Sequence, residues 1–186
     1  MIIEIKGETT LLRTVAEKDA EAICTLRNNP SINRFLSNSI EISVEDQINW
    51  IRQNKLKKKY DYYFGIIDVR DGKLIGTISL YDNNSNNECA EFGRYICLNP
   101  LQAIESELMI LEFAFKKLNL KRVYCRTVES NAQVWRQHYK FGFVDIGEEL
   151  LASRNFVIKK QELTKQQFEK FDYSGIMQII KRFKGC

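Results

Sequence analysis

The stretch from residue 90 to 143 constrains the fold more than any other part of the chain. Ala90-Glu91-Phe92-Gly93-Arg94-Tyr95-Ile96-Cys97-Leu98 reads as a strand, and Asn99-Pro100-Leu101-Gln102 turns the chain. Periodicity then predicts a helix over 104–118, a strand over 121–127, a short helix over 131–140 and another strand opening at Gly142-Phe143-Val144. A strand, a tight turn and a helix N-terminus together aim backbone N–H groups at a point where a phosphate can sit.

The flanking sequence supplies more of both element types. Residues 8–15 read as a first strand and 17–28 as a helix ended by Asn28-Asn29-Pro30; 31–38 is a short helix or turn. Ser43 and Asp46 resemble a capping box before a helix with Val44, Ile48 and Ile51 on one face. Strands over 61–69 and 73–81 flank Arg70-Asp71-Gly72, a hairpin signal, and 82–87 is a polar loop. A last hairpin pairs 143–150 with 155–161, Thr164 caps a helix to about 171, and 174–183 carries Ile176, Ile179, Ile180 and Phe183 on one side. This order implies an α/β (α+β) chain with a central mixed, mostly antiparallel sheet covered by helices.

Composition narrows the function classes. At 186 residues and 44% hydrophobic, the chain suits one domain over 1–163. Residues 164–186 form a helical extension packed on that domain or on a second subunit, so a homodimer is an open expectation. Net charge is only +4, and the runs Lys55-Leu56-Lys57-Lys58-Lys59 and Lys181-Arg182-Phe183-Lys184 read as solvated faces, not a nucleic-acid stripe. Five scattered cysteines without CxxC spacing and a single histidine argue against a metal site and suit a reducing cytoplasm. Residues 1–6 are too short and alternating for a signal peptide, and no apolar run approaches ~20 residues, so no membrane span is expected.

Three features in order resemble the GNAT-superfamily acetyltransferases over residues ~8–163. They are the 90–98 strand with its Asn-Pro turn and helix; Glu129-Ser130-Asn131 followed by Phe141-Gly142-Phe143; and the 26–35 segment with Gln47-Ile48-Asn49-Trp50-Ile51. The last pair is similar to the RimL-like branch, and within it to acetyltransferases acting on nucleotide-linked amino sugars, as in pseudaminic acid biosynthesis. The resemblance implies helices on both faces of the sheet and a splay between the fourth and fifth strands. It also implies acetyl-CoA as co-substrate, with pantetheine pairing near Ile96, Cys97 and Leu98. The diphosphate would lie at the turn and first helical N–H groups, across Gln102, Ala103, Ile104, Glu105, Ser106 and Glu107. The acceptor would be a primary amine on a small molecule, attacking directly. Alternatives are a protein N-terminal acetyltransferase and a non-catalytic binding module.

The family usually has Gly-x-Gly or Gly-x-Ala where this chain has Glu105 and Glu107. The two carboxylates read as helix-start charges that face solvent and complement the macrodipole, or as marks of a weakened donor site. Glu91 is the candidate general base, sharing a strand face with Gly93 and Tyr95 by alternation. His138 falls seven residues after Asn131, where relatives carry Tyr or His, and would protonate the leaving thiolate; Tyr139 ranks second. Asn131 is expected to cap the short helix and to touch the donor. Arg27, Asn28, Trp50 and Tyr81 would line the acceptor side. Cys97 reads as a buried small hydrophobe.

Overall fold

The structure, a computed structural model, describes residues 2–36, 40–57, 61–82 and 88–182. The strands are β1 (Glu4–Lys6), β2 (Thr10–Thr14), β3 (Tyr62–Asp68), β4 (Leu74–Tyr81), β5 (Cys89–Cys97), β6 (Arg122–Val128), β7 (Val144–Leu151) and β8 (Phe156–Thr164). The helices are α1 (Ala20–Asn28), α2 (Pro30–Asn33), α3 (Val44–Lys57), α4 (Pro100–Glu112), α5 (Ala132–Tyr139), α6 (Lys165–Lys170) and α7 (Ser174–Arg182). A wider π turn, Phe113–Lys117, continues α4. The side chains of Lys55, Lys57, Lys58 and Lys59, the loop at 83–87 and Phe183 lie outside what is described.

All eight strands join one sheet in the order β1-β2-β3-β4-β5-β6-β8-β7. Every neighbouring pair is antiparallel except β5 and β6. That parallel pair runs only from Cys89–Arg122 to Phe92–Cys125 and then parts, which is the expected splay, its strands numbered one higher because Glu4–Lys6 adds a first strand. Beyond Phe92 no strand among the described residues pairs with the β6 side of β5. Side chains alternate across the sheet, so Phe64 joins the large core under α4 and Tyr63 joins a second cluster with Val15, Ala20, Ile23 and Ile51 under α1 and α3. Ile180 of α7 is buried in the large core, with Ile176, Met177 and Tyr173 packed against it.

Two local details differ from the sequence reading and shape the site. The β4–β5 register shifts between Thr77–Ile96 and Ser79–Gly93, a bulge, and Arg94 within it has φ 47. The extra residue resets the alternation, so Tyr95 turns to the α4 side and packs with Phe92 (5.3 Å between centroids) instead of pointing with Glu91 and Gly93. Helix α4 also begins at Pro100, four residues earlier than expected. Pro at its first position has no N–H, and the Asn99 side chain accepts from the N–H groups of Leu101 (2.9 Å) and Gln102 (3.3 Å). Ala103 N–H bonds the Asn99 carbonyl (2.8 Å).

Candidate active site

The splay opens into a cleft of about 890 Å³. One wall comes from α1, α2, α3, β3 and β4; the floor is β5; the other wall is β6, α5 and the end of the β7–β8 hairpin. Glu91, His138, Ile96, Cys97, Leu98, Ala103, Asn131, Arg27, Trp50 and Tyr81 all line it.

Glu91 is almost fully buried, and Tyr81 donates its hydroxyl hydrogen bond to it at 2.7 Å. Burial pushes the Glu91 carboxyl up, against the opposing pull of the Tyr81 bond and of the Arg126 charge. Gly93 makes this pair possible: a Cβ there would stand 2.5 Å from the Tyr81 oxygen.

Beside it, Arg94 pairs with Asp61, whose side chain is fully buried, at 2.7 Å. Its guanidinium lies over the rings of Tyr81 (4.2 Å), Trp50 (5.0 Å) and Tyr63 (5.7 Å). Arg27 and Arg34 extend this cationic, aromatic wall, Arg34 lying over Phe35 at 4.5 Å. The buried Arg27 Nε has no hydrogen-bond partner among the described residues. Asn28 is the exception among the expected acceptor residues: its amide bonds both the N–H and the carbonyl of Ile42, fastening the loop before α3.

At the opposite side His138 is buried against Phe92 and Phe143. Its Nδ1 lies 2.7 Å from Glu107 Oε1, the ring also meets the Cys125 thiol, and His138 lines the cleft. Burial alone would lower its pKa, but the Glu107 charge and neighbouring Cys125 raise it. Tyr139 turns outward and donates to Asp145, away from the cleft. Asn131 holds the N-cap position of α5 without a side-chain cap bond, contrary to expectation, and lines the cleft. Burial lifts the Cys97 thiol to about 11, which suits a small apolar group better than a nucleophile.

At the expected diphosphate corner the geometry differs from the sequence reading in where the two glutamates face. Gln102, Ile104, Glu105, Ser106 and Glu107 do not reach the cleft. Neither glutamate faces solvent; both are buried in the protein. Glu105 accepts from Glu8 N–H, Thr9 N–H and the Thr9 hydroxyl, and Gln102 donates to the Thr9 carbonyl (3.0 Å). Ser106 bonds the Ala103 carbonyl (3.0 Å). The leading amides of α4 are absent or already used, so this helix end offers no free donors. Leu98 N–H is taken by Ile75 of β4 (3.1 Å), so strand alternation leaves Cys97, not Ile96 or Leu98, to present its N–H at the open edge.

The model of the acetyltransferase (GNAT) domain matches residues 10–144. The chain belongs to the GNAT acetyltransferase family. It is 28% identical over 149 residues to the "Probable N-acetyltransferase YjcK" of Bacillus subtilis (strain 168), covering 75% of this chain and 82% of that protein. Among solved structures it is similar to apo FdhC, a nucleotide-linked sugar GNAT, with 30% identity, a TM-score of 0.80 and coverage of 97% and 99% of the two chains. A spermidine N-acetyltransferase from Vibrio cholerae in complex with CoA and spermine shares the fold, with a TM-score of 0.76 at 20% identity over 88% of this chain and 100% of that one. The GNAT chain is thus an N-acetyltransferase, and its family uses acetyl-CoA. Sequence reasoning missed Tyr63, Asp61 and Gln137, because only folding brings the first two to Arg94 and the third to Glu107 and Tyr95. No helix among the described residues is long and apolar enough to cross a membrane.

Proposed function

We propose that this GNAT protein is an acetyl-CoA-dependent enzyme that acetylates the primary amine of an anionic small molecule, a nucleotide-linked amino sugar. The observation that carries this reading is the acceptor wall. Arg27, Arg34 and Arg94 stand there with Phe35, Trp50, Tyr63 and Tyr81, while Asp82 and Glu91 are the carboxylates lining the cleft. Arginine forks match phosphate oxygens, and aromatic rings stack on a base or sugar. A polyamine would meet like charge on that wall. The 30% identity to a nucleotide-linked sugar GNAT supports the same choice.

The donor fits along the open edge of β5, where Cys97 N–H is available and Ala103 and Val128 line the cleft. Acetyl-CoA supplies an activated thioester carbonyl that an amine lone pair attacks directly. Glu91 takes the ammonium proton, itself or through water; its raised carboxyl brings its basicity closer to the working pH. His138, which lines the cleft, supplies a proton towards the departing sulfur.

The test is a competition. Purified protein is given acetyl-CoA with a nucleotide-linked amino sugar, spermidine and an N-terminal peptide, and products are read by mass spectrometry. We expect kcat/KM for the sugar nucleotide to exceed that for the other two at least tenfold. Preference for spermidine or peptide overturns the acceptor assignment.

A further inference from the structure

We propose that Glu107 is a positioning residue that holds His138 as an imidazolium at the wall of the cleft. The proposal rests on the reading that His138 supplies the proton to the departing sulfur. Besides the Cys125 thiol at His138 and Ser106 at Tyr95, further side chains tie the pair together. Glu107 has no exposed surface; one oxygen meets His138 Nδ1 and the other accepts from Gln137 Nε2 at 2.7 Å. The same Gln137 nitrogen donates to the Tyr95 oxygen at 2.9 Å, and Tyr95 gives its own proton to the Ala103 carbonyl at 2.7 Å. Tyr95 is therefore committed and has no proton for the cleft.

A carboxylate removed from water needs a countercharge. Of the two groups bonded to Glu107, Gln137 is neutral and only His138 can carry one. The groups facing this pair from the surrounding elements are Cys125 of β6, Tyr95 of β5 and Tyr173 ahead of α7, and none of them is a cation. The Glu107 contact raises the His138 pKa in spite of burial, which favours the imidazolium. With Nδ1–H fixed on Glu107 and the Cys125 thiol bonded to the ring, the second proton sits on Nε2. It passes to sulfur as the carbon–sulfur bond breaks, and the imidazole regains one from solvent.

His138 is the sole histidine of the chain, so its ring resonances in NMR are unambiguous. In the full-length protein we expect the imidazole to stay protonated at pH 8, and in Glu107→Gln to lose that proton at least one pH unit lower. Glu107→Gln should also lower kcat about tenfold or more, with acceptor KM within about twofold, and shift the alkaline limb of the kcat profile down with the NMR titration. A neutral wild-type ring at pH 7 overturns the proposal even if the variant fails to fold. An unchanged pH profile in folded Glu107→Gln does so as well. His138→Phe separates the two layers: full activity there overturns the proton-donor reading itself. Loss of activity in His138→Phe beside a normal Glu107→Gln overturns only the role of Glu107.

Discussion

At the scale of single residues, burial alone does not decide what a carboxylate does. Glu91, Glu105 and Glu107 are all buried, yet one faces the cleft, one ties down a turn and one meets an imidazole. What differs is the donor set each finds. Glu91 depends on the bare α-carbon of Gly93 for its contact with Tyr81. In Gly93→Ala the added methyl, 2.5 Å from the phenol oxygen, should push Tyr81 off Glu91. We expect kcat/KM to fall about tenfold, roughly 1.4 kcal/mol of barrier, with the melting temperature little changed; wild-type kinetics would show that the pair is dispensable. Glu91 and His138 were legible as candidates because the family signature marks their positions. The inward turn of Glu105 and Glu107 was not, because their partners Thr9 and His138 lie far along the chain.

At the scale of elements, most strands and helices were legible from alternation, from the Asp-Gly turn and from the Thr164 cap, whose side chain bonds Gln167 N–H at 3.3 Å. The bulge in β5 was not, since 89–97 reads as an unbroken strand and only the register with β4 reveals the extra residue. The start of α4 was misjudged for a related reason. Asn-Pro reads equally as a turn and as an N-cap with Pro at the first helical position. That cap gives a prediction: Asn99→Ala should cost about 1 kcal/mol of stability in denaturant melts. It should not weaken acetyl-CoA binding by calorimetry, because those two amides are already taken up by the Asn99 side chain in the structure. A marked loss of affinity would show that Asn99 itself contacts the donor.

At the scale of the whole molecule, the sheet has two unequal stretches, β1 to β5 and β6 to β8, joined by the four pairs from Cys89–Arg122 to Phe92–Cys125. Past that point the β5 ribbon keeps one neighbour and lacks the other. Its free margin carries peptide groups, the Cys97 N–H among them, that no strand among the described residues serves until a guest arrives. Deuterium uptake followed by mass spectrometry should therefore find the 93–97 segment exchanging well ahead of 89–92 in the empty protein. Adding a thioester should slow that segment first; equal protection of both halves beforehand would mean the seam is already closed.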